Sequence, residues 1–289
     1  MAQESVDSAL RENAHAEQMA SQFLLGTSLF HMGQLNASWE QIEQAVQAEG
    51  GPAHPALALL AGPDLGVFRC SYLSHLHCLF GNPSEAHAMS DESIVRAREV
   101  SHPFTLGIAL NYAAMLNVYR GEGSLALTRA DEASEICWKY GFAYYQAMAD
   151  ILAGWAIGIE GDTASGLARL RHGLEALKAL RAELRLPFYH ALLAEICGLA
   201  GRTGEALANI ATGFAFLNKN DETWSVPELH RIHGDVLLQC GDATRARASF
   251  RRAVDLARRS GARLFEVRAE ARLNELATHE IGEPNPTER

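Results

Sequence analysis

The sequence has no long apolar run, no cysteine pair at metal or redox spacing, and no excess of positive charge. Each absence removes a class of function. The most apolar stretch, Ala143 to Ile159, is interrupted by Gln146 and Asp150 and falls short of the roughly 20 apolar residues that a bilayer core requires, so no membrane span is expected. The opening residues, Met1 to Asn13, carry Glu4, Asp7, Arg11 and Glu12 and lack the basic end and apolar run of a secretory signal. Five cysteines (Cys70, Cys78, Cys137, Cys197, Cys240) form an odd set without CxxC spacing. That argues against a disulfide framework or a structural zinc knot and fits a reducing cytoplasm. With 25 Lys+Arg against 35 Asp+Glu the net charge is -10, which repels nucleic-acid phosphates and anionic membrane surfaces. Neither is expected as a partner.

Catalytic signatures are missing as well. A nucleotide-hydrolysing loop needs GxxxxGK[ST], whose backbone amides cradle phosphates while the lysine neutralises them. The nearest match, Gly161 to Gly166, is followed by Leu167 and reads as a helix-packing segment. No HExxH and no GxSxG occur, which removes common zinc-protease and serine-hydrolase patterns. His75, His77 and Cys78, with Cys70 two turns earlier, contain soft-metal ligand types. Neighbours one and two apart on a helix point in different directions, so they do not converge on one ion. Glu228, His230, His233 and Asp235 crowd another segment; His233 falls at a packing position and His230 and Glu228 at a polar rim. No catalytic residue, metal site or cofactor is expected, and the chain reads as a non-enzyme.

What is present is a chain with 48% hydrophobic and 21% charged residues, a balance that folds, and it is strongly periodic. Gly33, Gly81, Gly121, Gly161, Gly201 and Gly241 are spaced by 48, 40, 40, 40 and 40 residues. A glycine at such a point suits the left-handed backbone that ends one helix and allows a tight turn into the next. Asn82, Asp162 and Asp242 follow their glycines and carry side-chain oxygens suited to capping the second helix, with Pro83 at a first helical position.

Three columns keep register with the glycines. Seven residues before stand Gly26, Ser74, Ala114, Gly154, Ala194 and Gly234; five after stand Ser38, Ala86, Ala126, Gly166, Ala206 and Ala246; twelve after stand Ala45, Ser93, Ala133, Gly173, Gly213 and Ala253. All are small, as close helix crossings demand. Bulkier residues alternate with them: Leu25, Leu73 and Leu193 beside the first column, and Ile42, Leu170, Ile210 and Phe250 four beyond the second. The pattern predicts an all-α fold, a right-handed superhelical α-solenoid of helix-turn-helix repeats. The repeats fall over about residues 9–50, 67–102, 103–144, 145–184, 185–223 and 224–261. A loop insertion is expected at 49–66, a capping helix at 264–279 shielding the last repeat, and a frayed tail at 281–289.

The alternation of small and large positions resembles the tetratricopeptide repeat, lengthened from about 34 residues to 40. The chain looks most like the long-repeat helical arrays at the C-terminal end of bacterial multidomain signalling proteins, in which a nucleotidyl cyclase or kinase and a signalling ATPase come first. His54 to Phe80, Gly198 to Leu207, Glu228 to Leu238 and Ala248 to Ala257 carry the likeness. Neither upstream domain is in this sequence. The resemblance implies a sensing or docking surface.

In stacked helix pairs the first helices line the concave face. Counting ten and six residues back from each glycine nominates that lining, and His75, Asn111, Met115, Trp155, Glu195, Arg231 and Asp235 are its candidate partner-binding residues. The middle is apolar and aromatic, with Tyr72 and Tyr112 beside them, while the far end is charged. Asn111 is the preferred contact, because a mid-helix amide can both donate to and accept from a peptide backbone. A protein or peptide ligand is expected, with a small-molecule effector as the alternative. The last repeat also carries Arg245, Arg252 and Arg259 at seven-residue intervals, read as a solvated outer stripe.

Overall fold

A computed structural model describes residues 18, 20–47 and 64–282. They form α1 (20–31), α2 (Leu35–Gln47), α3 (Leu65–Phe80), α4 (Pro83–Val100), α5 (Pro103–Arg120), α6 (Gly123–Tyr140) and α7 (Ala143–Ile159). There follow α8 (Thr163–Ala179), α9 (Leu186–Leu199), α10 (Thr203–Asn220), α11 (Val226–Gln239), α12 (Ala243–Ser260) and α13 (Arg263–Gly282). No strand occurs among the described residues, so the all-α expectation holds. Two compact units result, unit 1 (Met1–Cys78 and Asn82–Ala182) and unit 2 (Leu79–Gly81 and Glu183–Arg289).

Within each unit a helix packs on its sequence neighbours, and first helices of successive repeats also touch: α5 on α7, α9 on α11, α11 on α13. This is the stacking that a helix-turn-helix solenoid requires. Of the expected insertion at 49–66, residues 49–63 lie outside the described residues, as do 9–17 of the first repeat and 283–289 of the tail. Helix α3 starts two residues before the expected boundary because Asp64 caps it, its Oδ1 accepting from Val67 N at 2.9 Å.

The six glycines all have positive φ, from 71° at Gly201 to 113° at Gly161. At Gly121, Gly201 and Gly241 the following residue's N–H reaches back five residues, as in Glu122 N to Asn117 O at 2.9 Å. These closures satisfy carbonyls that a helix end would otherwise leave unpaired. Asp162 and Asp242 cap as expected, accepting from Ser165 N at 3.0 Å and Arg245 N at 2.9 Å. Asn82 holds its cap position without a side-chain bond.

A second left-handed series was not legible. Ser101, Gly141, Arg181, Asp221 and Gly261 follow the second helices at 40-residue intervals, all at positive φ. Glycine fills only two of the five, so a search for recurring glycines passes over the series.

Every described position of the three small columns is buried. The large residues seat on the small ones. A Cβ added to Gly26 would lie 2.6 Å from Ile42 Cγ1, and one added to Gly234 would lie 2.4 Å from the Phe250 ring. Leu25 departs from the expectation and is 49% exposed. The α7–α8 pair is the tightest, with backbone against backbone: a Cβ on Gly166 would meet Gly154 O at 2.6 Å and Gly158 N at 2.7 Å.

Candidate functional site

In unit 2 the first helices α9 and α11, with α13, carry a ladder of charges. The 40-residue register puts Glu195 on α9 beside Asp235 on α11, and Glu228 on α11 beside Arg268 on α13. Arg231 is the hub. Its Nη2 donates to Glu195 Oε1 and Glu228 Oε1, both at 2.8 Å, and its Nη1 donates to Asp235 Oδ2 at 2.6 Å. Arg268 Nη1 reaches Glu228 Oε1 at 3.0 Å, and Arg272 Nε reaches Asp235 Oδ1 at 2.6 Å. Arg272 also pairs with Glu275. Three helices are therefore tied by three guanidinium groups and four carboxylates.

Burial is graded along this ladder: the side chain of Glu228 is 6% exposed, Glu195 22% and Arg272 34%. Burial alone would raise the Glu228 carboxyl, but the flanking Arg231 and Arg268 hold it below the ordinary carboxylate value. Burial would likewise lower Arg231, and Glu228, Glu195 and Asp235 keep it well above the ordinary guanidinium value. At Asp235 burial wins and pushes the carboxyl up, against the pull of Arg231 and Arg272. Two polar atoms inside the ladder, Glu228 Oε2 and Arg231 Nε, are buried without a hydrogen-bond partner. An unpaired buried polar atom costs about 1–3 kcal/mol.

Glu195, Arg231 and Asp235 thus meet in one place. The sequence reading missed Arg268 and Arg272 because it treated the last helix only as a cap. Counting 40 residues on from Glu228 would have found the first of them.

The other four nominated residues lie in unit 1 and are enclosed by packing. Asn111 is 0% exposed; its Nδ2 donates to Gly107 O at 2.9 Å within its own helix and faces Cys137 Sγ at 3.9 Å. The amide is thus turned toward its own helix through Nδ2, while its Oδ1 is buried without a hydrogen-bond partner. His75 is stacked on Tyr112 with ring centroids 5.1 Å apart, and its Nε2 lies 2.8 Å from Tyr112 O. Met115 and Trp155 are buried at 0% and 3% exposure. Around them Tyr112 Oη donates to Tyr72 Oη at 3.2 Å, and Phe23, Phe30 and Phe68 all pack on Tyr72. Aromatic pairs of this kind add about 0.5–1.5 kcal/mol each beyond their burial. In this arrangement the aromatic middle is core, not open lining.

Unit 1 instead opens a cleft of about 470 Å³ between the C-terminal ends of α4 and α6 and the start of α5. Its lining includes the basic Arg98, Lys139 and His102, the acidic Glu135, and the apolar Leu106 and Ile136 with Tyr140.

Around His230, Ser249 Oγ donates to His230 O at 2.9 Å and also lies 3.2 Å from His233 Nδ1 and 3.5 Å from His230 Nδ1. Burial, helped by His233 and Arg252, pushes His230 down to about 4. Among the described residues no group of three or more His, Cys, Asp or Glu side chains could hold a metal ion, and no helix is long and apolar enough to cross a membrane.

No family model matches the chain. The uncharacterized protein R02095 of Rhizobium meliloti (strain 1021) is 24% identical over 216 residues, 74% of this chain but 21% of that protein. The chain thus spans about a fifth of that relative's length. Among solved structures, a Rap protein complexed with competence and sporulation factor aligns with a TM-score of 0.60 at 11% identity, covering 88% of this chain and 80% of that one. Aspartyl phosphate phosphatase F from Bacillus subtilis gives 0.57 at 11% identity, covering 96% and 73%. The apo form of RapI gives 0.55 at 13%, covering 92% and 99%. At these identities the likeness establishes the fold, a tetratricopeptide-like helical repeat array.

Proposed function

We propose that this chain is a non-enzymatic protein- or peptide-binding scaffold, the interaction or sensory region of a bacterial signalling or regulatory protein. The carrying observation is the charge ladder of Glu195, Glu228, Arg231, Asp235, Arg268 and Arg272 in unit 2. Burying charges is expensive, and apolar residues of similar volume would stabilise the same helix contacts at least as well. A fixed, partly exposed row of alternating guanidinium and carboxylate groups matches what an extended peptide offers, namely backbone donors and acceptors and charged side chains. A fold of the same kind occurs in the Rap protein complexed with competence and sporulation factor, which supports the reading. That R02095 extends far beyond the matched region accords with an array serving a larger protein, in the manner of the multidomain signalling proteins that the sequence resembles.

Peptides selected from a random display library on the wild-type protein test this, with affinities read by fluorescence anisotropy. Arg272→Glu and Asp235→Asn should weaken capture at least about tenfold while the melting profile of each variant confirms folding. Unchanged affinity in both variants rejects the ladder as the docking face.

The second reading, a small-molecule effector sensor, is favoured by the unit 1 cleft, whose volume of about 470 Å³ falls within the roughly 300–1,000 Å³ of small-ligand sites. Ligands that bind only the folded state raise the melting temperature. A thermal-shift screen of anionic metabolites, repeated on Lys139→Glu, decides it: no stabilising compound, or equal stabilisation of the variant, removes the cleft from consideration.

A further inference from the structure

The outer faces of two second helices are matched charge rows. On α12, Arg245, Arg252 and Arg259 are exposed, and Arg252 and Arg259 make no ion pair among the described residues; Arg245 pairs at 3.5 Å only with its own cap residue, Asp242. On α4 the positions equivalent under the repeat are Glu85, Glu92 and Glu99, all exposed and none in a salt bridge among the described residues, Glu92 also reaching the Cys70 thiol on α3. Both rows advance by seven residues, about 10.5 Å of helix rise per step, and a seven-residue interval keeps one face of a helix against a partner helix.

The residues between the charges also match. Ala88 and Val95 continue the row on α4, and Ala248 and Asp255 continue it on α12; all four are exposed, with Val95 at 56%. Alanine at these points lets two helices approach closely, and an exposed valine gains from being covered. Helix α12 holds six arginines against one aspartate in a chain of net charge -10. Its basic face is thus set against the acidic remainder of the molecule.

We propose that the occupant of each row is a second copy of this chain, α4 of one molecule lying on α12 of another. In an antiparallel apposition Glu85 faces Arg259, Glu92 faces Arg252 and Glu99 faces Arg245, while Val95 rests on Ala248. The contact joins two different surfaces, so it propagates head to tail unless a ring closes. It does not depend on the ladder in unit 2.

Sedimentation velocity over a range of protein concentrations tests this, at about 50 mM salt and again at about 500 mM, where charges are screened within a few ångströms. The wild type should associate at low salt and dissociate at high salt. A variant with Arg245→Glu, Arg252→Glu and Arg259→Glu should stay monomeric. A second with Glu85→Arg, Glu92→Arg and Glu99→Arg should do the same. Mixed in equal amounts, the two should associate, because each then presents the row that the other lacks. All substituted residues are exposed, and circular dichroism confirms that the variants fold. A wild type that stays monomeric at low salt overturns the proposal, as does a mixture that fails to associate or a variant that self-associates like the wild type.

Discussion

Replacing Gly166 by alanine should destabilise unit 1 by about 2 kcal/mol, against the usual direction of a Gly→Ala change in a helix. Alanine is favoured over glycine by about 1 kcal/mol in a helix interior, so a gain would be expected if α8 stood alone. The added Cβ would lie 2.6 Å from Gly154 O, 2.7 Å from Gly158 N and 2.8 Å from Gly158 Cα. Ordinary contacts begin near 3.4 Å, so the shortfall is about 0.7 Å against backbone atoms that have no rotamer to adopt. Helices α7 and α8 must separate, and separation loosens the other close contacts along the same line. These are Leu170 beneath Gly154 and Gly173 against Ala147 O. Overpacking of this kind costs about 1–3 kcal/mol, occasionally more, and here it outweighs the propensity gain. At roughly 2–4 °C per kcal/mol for a unit of this size, the melting temperature should fall by about 4–8 °C. Gly204→Ala is the control. Nothing lies within 4 Å of a Cβ at that position on α10, so it should be neutral or stabilising by up to about 1 kcal/mol. Differential scanning calorimetry separates the outcomes: if Gly166→Ala raises the melting temperature as Gly204→Ala does, the backbone-to-backbone account of this pair is wrong.

Three other consequences are measurable. His230 titrates near 4 in the folded protein and near 6.5 when unfolded, so the unfolded chain binds more protons between those values. Unit 2 should therefore lose stability as pH falls from 6.5 toward 4, by on the order of 2–3 kcal/mol, and urea titrations of His230→Asn should show a flatter pH profile. Glu222, 4% exposed, accepts from Trp224 Nε1 and from Arg185 N, both at 2.8 Å; Glu222→Ala should cost about 2–4 kcal/mol, seen as a lower urea midpoint by tryptophan fluorescence. Arg181 sits at φ 54°, a conformation that costs a non-glycine residue about 1–2 kcal/mol. Arg181→Gly should raise stability slightly, by about 0.5 kcal/mol after the greater chain entropy of glycine is offset, and a drop of more than 1 kcal/mol would show that this turn holds its shape by other means.

The repeat architecture was readable because close helix crossings tolerate so few residue types. Gly154, Gly166 and Gly173 stand where the sequence columns demanded small side chains, and Ile42, Leu170 and Phe250 fill the facing positions. The turn series at Ser101, Arg181 and Asp221 was hidden because residues other than glycine tolerate the left-handed region when the helices on either side hold them there. The candidate site was half legible. Glu195, Arg231 and Asp235 were found from register alone, but register says which face a residue shares and not whether that face is open. Hence His75, Asn111, Met115 and Trp155, correct in phase, are buried among aromatic neighbours. A mid-helix asparagine carries the same symbol whether its amide serves a ligand or the carbonyl one turn back, and only coordinates distinguish the two.

Photo-crosslinking tests the docking role of unit 2 most directly. A benzoylphenylalanine placed at Ala271, exposed on α13 between Arg268 and Arg272, should capture a library-selected peptide, whereas the same group at Ala248 on the outer row of α12 should not. Capture at Ala248 with none at Ala271 would contradict the assignment of the charge ladder as the binding face.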